Sequence, residues 1–276
     1  MVVVLSHPFI IAFVLVVALM TGSAVAADKA VEVILYGDDN YPPYSYSEDG
    51  EARGIYADII LEAGQRMPGF RLSLKTVPWK RGLLMLQQGT AFALYPPYKH
   101  SSENRPYIDA YSLPILEETV VVYCREEVIS SRELNRWPED FYGLVIGRNA
   151  GFLLGGDAYR AAIQQGLIWE KNAHGNRVNI LAMKMGRNDC YINDRISILM
   201  ELQRLEDEGP PEVDYQRVFE VIEVSREHGY LAFTGRDKGR FYYKQAFLAG
   251  FNAAIRQMQE EGRLQSIIER HIRQAP

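Results

Sequence analysis

The chain of 276 residues has 30 Lys and Arg against 35 Asp and Glu, which gives a formal net charge of −5 with neutral histidines. This acidic balance disfavours non-specific binding to nucleic acid or to an anionic membrane surface. The length allows one large domain or two medium domains. Cys124 and Cys190 are the only cysteines and too few for a disulfide scaffold, so they form either one disulfide or two buried free thiols.

The amino-terminal segment has the pattern of a secretory signal peptide. Phe9–Met20 is an apolar run that follows a proline, and Ala24-Val-Ala26 supplies small residues for cleavage. We therefore predict cleavage after Ala26 and export to the periplasm. A membrane anchor is the alternative, but a spanning helix needs about 20 apolar residues. The absence of a basic residue before Asp28 departs from the usual signal pattern.

The first half of the mature chain alternates strands and helices. Val31–Tyr36 is rich in β-branched residues and predicts the first strand. The Pro- and Gly-punctuated loop after it contains Tyr41, Tyr44 and Tyr46, which cannot all be core residues and suggest a wall for a ligand. Further elements are predicted as helices at Gly54–Gln65 and Trp79–Gly89, and as strands at Arg71–Val77, Ala91–Tyr95 and Glu117–Cys124.

The second half begins a new strand, loop and helix unit. Phe141–Ile146 predicts a strand, and the glycine loop Gly147–Gly151 leads to a helix near 156–165. The loop matches neither a dinucleotide fingerprint nor a phosphate loop, so we expect Gly151 to let a ligand approach the amide end of the helix. Later elements are predicted as helices at Ser130–Trp137, Val178–Met185, Ile196–Asp207, Phe241–Arg256 and Arg263–Arg273, and as strands at Val218–Val224 and Tyr230–Phe233.

Two charged residues stand beyond the ends of predicted strands. Asp194 ends a short apolar strand that follows Gly186, at the edge where open α/β sheets place ligands. Arg105 follows the strand Ala91–Tyr95 through a loop. Asp189 points to the opposite face of its strand from Asp194 and is expected to be a turn residue. The two halves of the chain thus offer one anion and one cation.

The sequence lacks the motifs of common catalytic and metal sites. The five histidines do not cluster with carboxylates or cysteines at metal-ligand spacing, and no GxSxG motif occurs. We therefore predict no metal, no cofactor and no catalytic residue.

In this order of elements, the chain resembles the family 3 periplasmic solute-binding proteins, which serve as polar amino-acid receptors of ABC transporters. The motifs that carry the resemblance are Tyr41-Pro-Pro-Tyr44 with Gly50 and Gly54-Ile-Tyr-Ala-Asp58, Leu86-Gln-Gln-Gly89, Glu103-Asn-Arg105 with Tyr111-Ser-Leu-Pro114, Gly143–Gly151, Gly186-Arg-Asn-Asp189 with Asp194, and Phe251-Asn-Ala-Ala-Ile255 with Gly262-Arg-Leu264. The resemblance implies an α/β, two-lobed periplasmic-binding-protein fold of type II with two crossing hinge segments. Lobe one would comprise 27–118 and 228–276, and lobe two 119–227.

The resemblance also implies a ligand site between the lobes. Arg105 would hold a ligand carboxylate, Asp194 a ligand ammonium, Tyr41 the ligand side chain, and Trp79 another wall of the site. Departures from the family pattern occur at Tyr98, Lys99 and His100, where many members have small hydroxyl residues, at Phe152 in place of Thr, and at Phe92 near a missing Asp. An added Lys99 could admit a second anionic group. The predicted ligand-binding residues are Tyr41, Trp79, Tyr98, Lys99, Arg105, Gly151, Phe152 and Asp194.

The function implied is capture of an amino acid or similar small polar solute by a monomer that closes by hinge motion and delivers its ligand to a membrane ABC permease. A dehydratase or related lyase on the same scaffold is a rival hypothesis, and it would need a general acid such as Glu117, Glu118 or His100. A sensory module whose closed form binds a membrane receptor is a third possibility.

Overall fold

A computed structural model describes residues 30–100, 103–208 and 217–274. The predicted signal peptide and its cleavage point lie outside the described residues. Among the described residues, no helix is both long and apolar enough to cross a membrane.

Eight α-helices occur in the described ranges, and most coincide with a predicted helix. They are α1 (Ile55–Gln65), α2 (Trp79–Gln87), α3 (Glu126–Ser131), α4 (Gly156–Gln164), α5 (Gly175–Lys184), α6 (Arg195–Glu208), α7 (Lys244–Glu260) and α8 (Arg263–Gln274). The predicted helix Ser130–Trp137 is displaced, because α3 ends at Ser131.

The strands form three sheets. They are β1 (Val31–Asp38), β2 (Asn40–Tyr41), β3 (Ser45–Glu48), β4 (Glu51–Arg53), β5 (Phe70–Val77), β6 (Ala93–Tyr95), β7 (Ile108–Tyr111), β8 (Leu116–Arg125), β9 (Val145–Asn149), β10 (Trp169–Ala173), β11 (Cys190–Asp194), β12 (Val218–Gly229) and β13 (Ala232–Thr234). The predicted strand Phe141–Ile146 was placed too early, because 139–141 form a 3-10 turn and the strand begins at Val145.

Two five-stranded sheets make up the two lobes. The first has the order β5-β1-β6-β13-β7, with β1 parallel to both β5 and β6. The second has the order β10-β9-β11-β8-β12, with β9 parallel to β10 and β11. A small third sheet, β2-β3-β4, occupies the segment that was predicted as a tyrosine-rich loop.

The chain crosses between the two large sheets twice. The first crossing joins β7 to β8 and the second joins β12 to β13, so β8 and β12 lie side by side as long antiparallel strands. The crossings are also hydrogen-bonded to each other, since the amide of Ile115 donates to the carbonyl of Gly229 at 3.0 Å and that of Ser112 donates to Leu231 at 2.9 Å. This arrangement is the predicted two-lobed α/β fold with two crossing segments.

Each large sheet has its own apolar core. In the first lobe one apolar face of α7 is buried against the sheet, namely Phe247, Phe251, Ala254, Ile255 and Met258. In the second lobe Cys124 and Cys190 lie directly opposite each other on β8 and β11 and form a disulfide, which settles the alternative left open by the sequence.

Candidate ligand-binding site

A cavity lies between the two lobes, at the carboxyl ends of strands from both large sheets. The cavity is small, about 20 Å³, which is room for about one water molecule. Residues from both lobes line it: Asp38, Tyr41, Trp79, Pro96, Pro97, Tyr98, His100 and Arg105 from the first-sheet side, and Phe152, Leu153 and Leu154 from the loop after β9. This edge of parallel strands is where open α/β folds bind ligands.

Arg105 lines the cavity and has a nitrogen that donates no hydrogen bond. It is only 4% exposed, and its Nη2 donates to the carbonyl oxygen of Gly151 at 3.4 Å. The guanidinium carbon lies 5.7 Å from the ring centroid of Trp79. Among the described residues, its buried Nη1 has no hydrogen-bond partner and no carboxylate forms an ion pair with the guanidinium. Burial lowers the pKa of Arg105, but an arginine stays charged in proteins. The guanidinium can therefore donate a further hydrogen bond to an anion that enters the cavity.

Asp38 is a cavity residue that the sequence analysis did not select. It ends β1, is nearly fully buried, and accepts a hydrogen bond from the amide of Asn40 at 3.0 Å. Burial raises the pKa of Asp38 to about 7. The side chain of His100, also in the lining, has a pKa lowered to about 4 by burial and is therefore neutral at pH 7.

The aromatic side chains of the cavity meet around Phe152. The ring of Phe152 makes edge-to-face contacts with Tyr41 at 5.1 Å and with Trp79 at 5.8 Å between centroids. The indole Nε1 of Trp79 donates to the carbonyl oxygen of Gly151 at 3.2 Å. Gly151 has φ +88°, and it lies against Trp79 rather than at the start of α4, which begins at Gly156. The segment after β9 thus reaches across to the first lobe.

Lys99 lies outside this cavity. Its side chain is exposed, with Nζ 6.0 Å from the ring centroid of Tyr111. It lines an adjoining groove together with Asp157 and Arg160, which form an ion pair with each other. A second anionic group of a ligand would have to extend from the cavity into that groove to reach Lys99.

Asp194 is buried behind the cavity lining and its oxygens are already bonded. Oδ1 accepts from the hydroxyl of Tyr44 at 2.9 Å and from the amide of Ser197 at 2.9 Å, and Oδ2 accepts from the amide of Thr119 at 3.1 Å. Burial raises its pKa to about 6. Asp194 therefore caps α6 and ties it to the first lobe, while Arg105 faces the cavity.

A second buried carboxylate, Glu118, lies close to Asp194. It accepts hydrogen bonds from the hydroxyls of Tyr41 at 2.5 Å, Tyr56 at 2.6 Å and Tyr98 at 2.7 Å. We call these four residues the tyrosine–glutamate cluster. Burial, and next the charge of Asp194, raise the pKa of Glu118 to about 8. Tyr41 and Tyr98 belong to both the cluster and the cavity lining, so the cluster fixes two walls of the site.

The residues the structure describes contain no group of three or more His, Cys, Asp or Glu side chains that could hold a metal ion. The polar side chains of the cavity lining are Arg105, Asp38, His100, the hydroxyls of Tyr41 and Tyr98, and the indole of Trp79.

The chain belongs to the bacterial extracellular solute-binding proteins, family 3, whose family model matches residues 33–274. The predicted family is thereby confirmed, and the fold is the type II periplasmic-binding fold of its solved neighbours. No curated protein sequence gives a significant match.

Three solved structures illustrate the range of proteins with this fold. A histidine kinase sensor domain with similarity to periplasmic binding proteins has TM-score 0.70 and 14% identity, and the match covers 88% of this chain and 96% of that one. The amino acid ABC transporter substrate-binding protein AbpA from Streptococcus pneumoniae, bound to L-arginine, has TM-score 0.65 and 15% identity, covering 88% and 94%. The ancestral amino acid-binding protein AncCDT-1, a precursor of cyclohexadienyl dehydratase, has TM-score 0.64 and 15% identity, covering 87% and 95%. At these identities the likeness concerns the fold.

Proposed function

We propose that this protein is an exported receptor that captures an amino acid or a similar small carboxylate-bearing solute between its lobes and presents it to a membrane ABC permease. The observation that carries the proposal is Arg105, a buried cation with an unpartnered Nη1 in the cavity between the lobes. A buried charge without a partner is costly, and a ligand carboxylate would accept two hydrogen bonds from one guanidinium.

The first lobe also supplies a group for the other end of a zwitterion. Asp38 lines the same cavity as Arg105, and an ammonium beside it would favour its ionised form. We assign this role to Asp38 ahead of Asp194, because the oxygens of Asp194 already accept three hydrogen bonds. Tyr41, Trp79 and Tyr98 would form the walls.

A thermal-shift screen of the purified protein tests this proposal. The compounds are L-amino acids, polyamines, small carboxylates and short peptides. A ligand at 100 times its dissociation constant stabilises the folded protein by about 2.7 kcal/mol, and each kcal/mol moves the midpoint by about 2–4 °C in a chain of this size. A true ligand should therefore raise the midpoint by roughly 5–11 °C.

Arg105→Gln supplies the residue-level test. The variant should lose the ligand-induced shift and keep the ligand-free fold, because within the described part of the chain Arg105 donates a single long hydrogen bond, to Gly151. Arg71→Gln is the matched control, since Arg71 is an exposed arginine that pairs with Glu32 on the surface. Equal shifts in parent and Arg105→Gln would exclude Arg105 as the carboxylate-binding residue.

The sensory alternative is supported by the likeness to a histidine kinase sensor domain. In that case the closed form would bind a membrane receptor in place of a permease. Co-purification of the cross-linked ligand-bound protein from membranes separates the two, because a permease carries several hydrophobic spans and a sensor carries a kinase domain.

The lyase alternative is supported by Glu118, whose raised pKa of about 8 would keep a proton available at neutral pH. Glu118 would have to act through the hydroxyl of Tyr41 or Tyr98, since these residues separate it from the cavity. Mass spectrometry of a bound compound after incubation distinguishes a receptor from a lyase. A compound that is recovered unchanged supports a receptor, and a compound that has lost water supports a lyase.

A further inference from the structure

The dipeptide Gly151–Phe152 of the second lobe contacts the first-lobe side chains that are proposed to bind the ligand. Its carbonyl oxygen, on Gly151, accepts hydrogen bonds from Trp79 at 3.2 Å and from Arg105 at 3.4 Å. Its aromatic ring, on Phe152, packs edge-to-face against Tyr41 and Trp79. One short segment therefore presents an oxygen to the cation and a flat ring to the aromatic wall.

The oxygen is an incomplete partner for the guanidinium. A neutral carbonyl occupies Nη2 of Arg105, while the buried Nη1 is left without an acceptor. A carboxylate has two oxygens in the geometry that an arginine fork binds. An external carboxylate would thus satisfy Arg105 better than Gly151 does.

The surroundings of the ring are apolar. Pro96, Pro97, Leu153 and Leu154 are apolar lining residues, Tyr98 and His100 are uncharged ones at pH 7, and Asp38 is the one carboxylate among the described lining residues. Lys99, the nearest additional cation that the sequence suggested, lines the adjoining groove. Asp38 and Arg105 are the charged side chains of the described lining. No third charged side chain there could pair with the side-chain charge of a basic or acidic amino acid.

We infer that Gly151–Phe152 is an internal substitute for the ligand, and that the ligand which displaces it is a carboxylate attached to an aromatic ring. The inference rests on the proposed function, since it takes the cavity to be a solute-binding site. Ligand and dipeptide compete for the same surfaces. The apparent affinity is therefore the intrinsic affinity multiplied by the fraction of protein in which the dipeptide is withdrawn.

The first experiment needs no ligand. In a Trp137→Phe, Trp169→Phe background, Trp79 is the remaining one of the three tryptophans, and acrylamide quenching reports its exposure. In this background, Phe152→Ala should raise the quenching constant of Trp79. In the chain that keeps all its tryptophans, Phe152→Ala should raise the radius of gyration measured by small-angle scattering. Phe219→Ala, at a 46% exposed phenylalanine on β12, is the matched control and should change neither. Unchanged quenching and unchanged radius in Phe152→Ala would overturn the internal substitute.

The second experiment is calorimetry with phenylacetate and L-phenylalanine, compared with acetate and L-arginine. The two aromatic compounds should bind the parent more tightly than the others do. Their affinity should rise by about 5-fold to 150-fold in Phe152→Ala, which corresponds to about 1–3 kcal/mol for two aromatic contacts. It should fall in Arg105→Gln.

The outcomes separate this inference from the proposed function. Tighter binding of L-arginine than of L-phenylalanine would overturn the aromatic class while leaving an amino-acid receptor in place. An affinity for L-phenylalanine that is unchanged or lower in Phe152→Ala would overturn the competition. If the screen finds no solute at all, the proposed function fails, whereas the quenching result still tests the internal contact.

Discussion

Glu118→Gln should weaken the pH dependence of stability, because the parent holds this carboxyl group in the protonated form. Glu118 is 1% exposed and accepts three tyrosine hydroxyl hydrogen bonds. Burial is the main cause that raises its pKa from the ordinary 4.5 to about 8, ahead of repulsion by Asp194. The hydrogen bonds from the tyrosines oppose the rise, since they favour the charged form.

The sign of the effect follows from proton binding. Between pH 4.5 and 8 the folded protein holds a proton on Glu118 that the unfolded chain releases, so the free energy of unfolding falls as pH rises. The contribution is complete below pH 4.5 and is lost as pH passes through 8. One pKa unit corresponds to 1.36 kcal/mol, so the window from pH 6 to pH 8 can contribute up to about 3 kcal/mol.

Urea unfolding at pH 6, 7 and 8 measures this difference. Asp38 and Asp194 also have raised pKa values, so the comparison of parent and variant isolates Glu118. The parent should lose up to about 3 kcal/mol more than Glu118→Gln across this range. Glu117→Gln is the matched control, because Glu117 is the adjacent residue with a half-exposed side chain. Parallel pH profiles for parent and Glu118→Gln would refute the assignment of a buried proton to this group.

Three further variants test the contacts between the lobes and within the second lobe. Gly229→Ala should destabilise the protein by about 1–3 kcal/mol in thermal melts, because a Cβ at this position would overlap the hydroxyl of Tyr56. The double variant Cys124→Ala, Cys190→Ala should lose about 4 kcal/mol in urea unfolding, since the disulfide joins residues 66 positions apart. Asp194→Asn should lower the free energy of unfolding by about 1–3 kcal/mol without any ligand, because an amide cannot replace all three accepted hydrogen bonds.

The elements that the sequence predicted are those with a clear apolar pattern. The stripe of α7 and the β-branched run of β8 are buried as expected, because period and burial face coincide there. The edge strands β7 and β10 were not predicted. β10 has the sequence Trp169-Glu-Lys-Asn-Ala173, whose burial does not alternate, so its extended form comes from pairing with β9.

The candidate site was predicted in part, again where the sequence has a clear pattern. Arg105, Tyr41 and Phe152 follow strand or loop signals at the carboxyl edge of the sheets, and they line the cavity. Asp38 was overlooked because Gly37-Asp38-Asp39-Asn40 has the composition of a turn, while in the structure β1 continues through Asp38. The missed signal was an acidic residue at the carboxyl end of a parallel strand.

Asp194 and Arg105, the two charged residues selected from the sequence, differ in how many of their hydrogen bonds the folded chain supplies. Asp194 has three donors around it, from α6, from β8 and from Tyr44, so the protein has already replaced the water that its carboxylate lost. Arg105 has one long hydrogen bond and one buried nitrogen without an acceptor. A carboxylate with satisfied oxygens stabilises the fold without any ligand, whereas a guanidinium with an unused donor gains a hydrogen bond when an anion binds. Removal of Asp194 should therefore act first on folding, and removal of Arg105 should act first on binding.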